Sequence, residues 1–254
     1  MKDFSNSSLD GRVVVITGAG QGIGRATAIA MAGAGALPVI AEIDEEKGQA
    51  VAREIGNRAM AVPTDVADAG SLEAMAEAVL KAHGRIDVLI NNAAIFSSLK
   101  MRPFWEIPLE EWEAVLRVNV TGCFLAARAV LGAMREAKFG RIINFSSAAV
   151  AMGRPNYTHY TTSKSALIGM TRSMARELGA DGITVNAIMP GATFTEIERE
   201  TVTPEQKAAI VSMQSIPRPE TPADLIGTLM FLSSDASAFM TGQCLTVDGG
   251  LSYD

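Results

Sequence analysis

The stretch TGAGQGIG, Thr17 to Gly24, closes the apolar run RVVVIT at 12–17 and opens a helical pattern at 22–34. A strand, a glycine turn and a helix in that order aim backbone N–H groups and a helix N-terminus at an anion such as a pyrophosphate. Glycine is needed because a Cβ would block either the turn or the close approach. The spacing is not G-x-G-x-x-G. From Gly18 that pattern requires glycine at 23, and from Gly20 at 25, where Ile23 and Arg25 stand. What fits is T-G-x-x-x-G-x-G, with Gly18, Gly22 and Gly24 as its glycines. A flexible loop would also be rich in glycine, so the rest of the chain has to decide.

Working outward, six more short apolar runs follow, at 36–42, 58–64, 85–91, 140–146, 182–189 and 243–248. Each has strand length and is bounded by Gly, Asp or Asn. Between them lie helical patterns at 44–55, 69–82, 109–137, 158–179 and 222–234. Strands alternating with helices imply parallel pairing, and near-continuous apolar strands imply a sheet covered on both faces. The expectation is α/β: one doubly wound, Rossmann-type domain of about seven strands. It spans 1–254, with 1–8 as a flexible tail. Ligands in such folds bind beyond the carboxyl ends of the strands.

The bulk numbers agree with one compact domain. The chain has 254 residues, 48% hydrophobic and 20% charged, with a net charge of -6. No basic block recommends nucleic acid or an anionic membrane as partner. No apolar run reads as a membrane span, and the polar start MKDFSNSSLDGR lacks a signal peptide's apolar stretch. The two cysteines, Cys123 and Cys244, lie far apart without ligand-like neighbours. They read as buried thiols in a reducing cytoplasm. His83 and His159 have no ligand partner at useful spacing, so no metal site is expected.

The end of the second strand bears on the cofactor. Glu42 closes ALPVIAE. A carboxylate there accepts hydrogen bonds from both adenosine ribose hydroxyls and repels a 2′-phosphate. Positions where a phosphate reader would carry Arg or Lys hold Gln21 and Ile43. The reading is NAD, although a solvated strand end would look the same.

PNYTHYTTSK at 155–164 poses a second question. Tyr160 and Lys164 are four apart on a predicted helix and share a face. Tyr157 has Thr161 at that offset. A free phenol titrates near pH 10, about three units too high for a base at neutral pH. A neighbouring ammonium favours the phenolate. Ser147 ends the run GRIINFSS, where its hydroxyl could donate to a carbonyl oxygen. Asn119 is an amide among apolar residues of helix 109–137, facing water, satisfying a neighbour or holding a water near Lys164.

Together these residues resemble the short-chain dehydrogenase/reductase family, in its form of about 250 residues, from about residue 9 to 251. The glycine motif is Thr17 to Gly24, with Gln21 and Ile23 inside it. The adenine-side pair matches Asp65 and Val66. N-N-A-G matches Asn91-Asn92-Ala93-Ala94, where Ala94 departs from glycine and should only narrow the turn. The catalytic set matches Asn119, Ser147, Tyr160 and Lys164. P-G is Pro190-Gly191, and the threonine on the nicotinamide carboxamide matches Thr195, with Thr193 beside it as a further cofactor-binding candidate. The resemblance implies hydride transfer between a secondary alcohol or ketone and a nicotinamide cofactor, NAD. In that scheme Tyr160 is the acid/base and Ser147 orients the substrate oxygen. Lys164 lowers the tyrosine pKa and holds the ribose, and Asn119 positions a relay water. It also implies a homotetramer or homodimer built through helices 109–137 and 158–179. NAD leans toward oxidation.

Substrate choice is expected in three variable stretches, with Phe96, Met152, Tyr157, Met189, Ile197 and Met213 as candidate walls. Met and aromatics also fill ordinary cores. If these residues line the site, the substrate is a hydrophobic small-molecule alcohol or ketone. Segment 193–220, with two weak helical turns and several prolines, reads as a substrate lid. Arg154 and Arg218 lie in variable loops and either contact an anionic group or stay solvated. An acyl-carrier-protein ketoreductase is the main alternative. A non-catalytic NAD sensor on the same fold is the alternative from another class.

Overall fold

The computed structural model describes residues 9–197 and 203–253. The tail at 1–8, the lid residues 198–202 and Asp254 lie outside the described residues.

The strands are β1 (Val13–Thr17), β2 (Leu37–Glu42), β3 (Met60–Pro63), β4 (Val88–Asn91), β5 (Gly140–Phe145), β6 (Ile183–Pro190) and β7 (Cys244–Val247). They form one parallel sheet in the order β3-β2-β1-β4-β5-β6-β7. The order reverses between β1 and β4, which opens a crevice at their carboxyl ends.

The helices are α1 (Gly22–Gly33), α2 (Glu45–Ile55), α3 (Ala69–His83), α4 (Leu109–Leu116), α5 (Gly122–Ala137), α6 (Ala149–Met152), α7 (Thr158–Leu178), α8 (Pro204–Met213) and α9 (Pro222–Ser233). Alternation along the strands sorts the core into two layers. Val13, Val15, Val39, Leu89, Ile142 and Val185 face α3, α5 and α7. Val14, Ile16, Ile40, Ile90, Ile143 and Ile188 face α1, α2 and α9. Every residue of β1 is buried, so its side chains serve both layers. Each such Val or Ile contributes about 1.5–3 kcal/mol.

Two expectations change here. The helix read at 109–137 is interrupted by a π-helical turn, Arg117–Thr121, centred on Asn119. By length and composition Leu109–Ala137 is also apolar enough to cross a membrane, which the run-by-run reading passed over. Its stripe Ala126, Val130 and Met134 packs on the sheet, which gives it the place of a core helix. The two weak turns expected after Pro190 include a regular helix, α8. Its start is a capping box: Thr203 Oγ1 accepts from Gln206 N at 3.3 Å, and Gln206 Oε1 accepts from Thr203 N at 3.1 Å.

Candidate active site

A cavity of about 710 Å³ lies at the crevice. One end is the glycine turn. Thr17 Oγ1 accepts from the Asn92 and Ala93 N–H groups, both at 3.1 Å. The Asn92 amide donates to Thr17 O and Gly18 O, both at 2.9 Å. These bonds hold the turn against the β4 loop and spend the Asn92 side chain on the protein. Gly18 has φ +63 and a Cβ there would lie 2.8 Å from Ala93 Cα, and a Cβ on Gly24 would strike the Gly18 carbonyl. Gly24 therefore sets how closely α1 approaches the turn. Gly18, Gln21 and Ile23 line the cavity, whereas Gly22 lies against Ile197 and Gly24 packs behind the Gly18 turn. Glu196 Oε1 accepts from the Gly22 N–H at 2.8 Å, which holds its carboxyl below the usual range.

Glu42 faces the same end. Its Oε2 accepts from Gly20 N at 2.9 Å and its Oε1 from Asp44 N at 3.2 Å. Two backbone donors thus fix a carboxylate at the end of β2, in the cavity wall. Lys47, beside Gly20, pairs with Asp44 at 3.3 Å. Asp65 and Val66 line the wall beyond Glu42, and Asp65 Oδ1 accepts from Ala67 N at 2.8 Å.

Ser147, Tyr160 and Lys164 line the other end. Ser147 Oγ accepts from Ala149 N at 3.2 Å, which leaves its O–H available to a substrate oxygen. Lys164 Nζ donates to Phe145 O at 2.6 Å and lies 5.8 Å from the Tyr160 ring centre. Burial pushes the Lys164 ammonium down to about 8. The Tyr160 ring stacks on Phe96, centroids 4.2 Å apart. Pro190, Gly191, Thr193 and Thr195 complete this end. Ala94, in place of glycine, is unstrained: among the described residues only Lys138 and Asn156 are non-glycines at positive φ.

Three sequence expectations need correcting. Asn119 is fully buried and its amide does not reach the cavity. Oδ1 accepts from Ile95 N at 2.8 Å, while Nδ2 donates to Ile95 O at 3.2 Å and Ser163 Oγ at 3.1 Å. The π turn directs the amide to the β4 loop and α7, so its side chain bonds to both rather than facing the cavity. Tyr157 is not a wall. It is buried with Leu99 and Val115 behind Phe96, with the Arg154 guanidinium 4.9 Å over its ring. Met189 is not a wall either. Strand alternation turns it away from the cavity toward Val150, Ile168 and Arg172. Phe96, Met152, Ile197 and Met213 do line the cavity, as does Arg154. Arg218 is paired with Asp224 at 2.6 Å. His159 is buried beside Glu111, at 3.3 Å, away from the cavity. Among the described residues no His, Cys, Asp and Glu group could hold a metal, and no disulfide joins the two cysteines.

Sequence reasoning missed the polar ladder beneath the site. Asn91 Nδ2 donates to Asn144 Oδ1, and Asn144 Nδ2 to Thr171 Oγ1, each at 2.9 Å. Asparagine pairing across two apolar strands was the available signal. It also missed Ser163, whose hydroxyl donates to Tyr160 O at 2.7 Å, and Glu220, which no motif marks.

A Rossmann sheet with a glycine turn, an acidic β2 end and a Ser-Tyr-Lys constellation at one cavity defines a Rossmann-type oxidoreductase. The chain belongs to the short-chain dehydrogenase/reductase family. A family profile described as enoyl-(acyl carrier protein) reductase matches residues 18–252. A 3-oxoacyl-[acyl-carrier-protein] reductase of Synechocystis is 38% identical over 96% of this chain and 98% of its own. A (2S)-[(R)-hydroxy(phenyl)methyl]succinyl-CoA dehydrogenase subunit of Thauera aromatica is also 38% identical, over 96% and 98%. The structure of a 3-ketoacyl-(acyl-carrier-protein) reductase from Brucella melitensis, complexed with NADH, superposes with TM-score 0.90 at 33% identity, covering 97% and 100%.

Proposed function

We propose that this chain is an NAD-preferring dehydrogenase of hydrophobic secondary alcohols, acting on the corresponding ketones in reverse. The observation that carries the reading is the single cavity joining the glycine turn and Glu42 to Ser147, Tyr160 and Lys164. The residues fit a dinucleotide. Gly18 lines the cavity without a side chain, Gly24 lets α1 pack close against that turn, and Glu42 presents fixed acceptors where an adenosine ribose would lie. Bound there, the nicotinamide ring supplies the hydride acceptor or donor. Gly18, Gln21 and Ile23 would hold the pyrophosphate side, with Asp65, Val66 and Ala93 along the adenine and ribose. Pro190, Gly191, Thr193 and Thr195 would hold the carboxamide side.

Tyr160 takes the substrate hydroxyl proton onto its phenolate oxygen in the oxidation direction and returns it in reduction. Ser147 O–H orients the substrate oxygen and stabilises charge growing on it. The Lys164 ammonium favours the phenolate. Phe96, Met152, Ile197 and Met213 exclude water and select an apolar substrate body. Glu42 supports NAD because the 2′-phosphate of NADP would sit against a carboxylate already held in place.

A 3-oxoacyl-(acyl-carrier-protein) reductase-like activity is the second reading, favoured by the names of relatives such as that of Synechocystis. The exposed Phe104, Trp105, Leu109 and Phe124 on α4, α5 and the loop before them suit a homodimer or homotetramer face. Two cysteines with no disulfide between them suit a reducing cytoplasm. Initial rates with NAD and NADP across aliphatic, aromatic and β-keto thioester substrates separate the readings. NAD with a simple alcohol supports the first, whereas NADPH with β-keto thioesters alone supports the second.

A further inference from the structure

Glu220 is 3% exposed, lies outside every motif, and reaches the cavity wall from behind. Its Oε1 accepts from Thr193 Oγ1 at 2.6 Å, and its Oε2 accepts from Gly191 N at 3.1 Å. Its backbone bridges Thr193 in parallel, and its carbonyl accepts from Phe194 N at 2.8 Å. Gly191 has to be glycine for this contact, since a Cβ would lie 2.6 Å from Glu220 Oε2 and 2.9 Å from Asp248 Cβ. One buried side chain therefore fixes both the backbone and the hydroxyl of a turn that lines the reacting end of the cavity.

We propose that Glu220 is a positioning residue that sets the Gly191–Thr193 turn and the direction of the Thr193 O–H for the nicotinamide end of the cofactor. This role rests on the dinucleotide reading above. With Glu220 ionised, the Thr193 hydroxyl donates to it and turns its lone pairs outward, where they accept from an amide N–H. With Glu220 protonated at Oε1, the acid donates to Thr193 Oγ1 and the Thr193 O–H swings free. Only one of these arrangements matches a given carboxamide pose.

The surroundings place that change near neutrality. Burial raises the Glu220 carboxyl to about 7, the bonds from Thr193 and Gly191 hold it back, and Asp248 and Asp224 add to the rise. Arg218 interacts with it as a cation and is itself paired with Asp224. Asp248 in turn accepts from Gly250, Leu251 and Ser252.

The test compares wild type, Glu220→Gln and Glu220→Ala for binding of NADH and of ADP-ribose, which lacks the nicotinamide, from pH 6 to 8.5. Glu220→Ala should weaken NADH about tenfold, as loss of hydrogen bonds to a charged group implies, and leave ADP-ribose within about twofold. Wild-type NADH affinity should fall as pH drops through about 7. Glu220→Gln, which keeps the shape, should lack that inflection. Equal NADH affinity in all three proteins, or equal weakening of NADH and ADP-ribose, overturns the role. Absence of NADH and ADP-ribose binding in wild type overturns the dinucleotide reading itself, and this role with it.

Discussion

At the scale of single residues, the site divides into groups that face the cavity and groups that hold them. Tyr160 faces it, and Ser163 and Asn119 hold the helix turn that carries it. Tyr160→Phe should lower turnover by about 10²–10⁴-fold, the range for losing a general acid/base, while cofactor binding by fluorescence stays within about twofold. Lys164 gives a pH signature. Burial lowers its folded pKa to about 8 from the usual lysine value, so its charge is present at pH 7 and lost as pH rises through about 8. The rate of alcohol oxidation should show an inflection there, read from initial rates between pH 6.5 and 9.5. Glu42→Ala should raise KM for NAD about 10- to 100-fold, through the loss of one or two charge-assisted bonds. The facing groups were legible because motif spacing places them at strand ends. The holding groups were not, since Asn119 looks alike in sequence whether its amide faces a cavity or a backbone loop. Tyr157 and Met189 failed for the same reason. Their residue types suit a pocket wall, and only the actual strand phase and the Phe96 contact turn them into core.

At the scale of elements, the sequence was read well where periodicity is strong. Every strand was anticipated to within three residues at its start, because apolar runs bounded by Gly, Asp or Asn leave little choice. The π turn at Arg117–Thr121 was invisible, since it extends the same helical pattern by a widened turn. α8 was under-read because several prolines obscured its Thr203–Gln206 cap. The α5–β5 contact supplies a stability test. Met134 is fully buried and close against Gly140, so Met134→Ala should cost about 2–5 kcal/mol in denaturant unfolding, with the cofactor site intact in the folded fraction. Glu220 supplies a test with a sign. Its folded pKa, about 7, lies above its unfolded value, so its contribution to stability is full below the unfolded pKa and disappears as pH rises through about 7. Wild type should therefore lose Tm relative to Glu220→Gln between pH 6 and pH 8.

At the scale of the whole molecule, the parallel sheet with its reversal between β1 and β4 explains why chemistry drawn from distant parts of the sequence meets in one cavity. The glycine turn, Glu42 and Asp65 come from one side of the reversal, and Ser147, Tyr160 and Gly191 from the other. The reaction class follows from that meeting, and the proposed preference for NAD rests on a single carboxylate, Glu42. The measurement that bears most directly on this is the initial rate of NAD and NADP reduction with a panel of hydrophobic secondary alcohols, with Tyr160→Phe run beside wild type. The account predicts turnover with NAD, at least about tenfold less with NADP as repulsion of a 2′-phosphate by Glu42 implies, and turnover at least about 10²-fold lower in Tyr160→Phe. Turnover chiefly with NADP, or a Tyr160→Phe variant as fast as wild type, would contradict it.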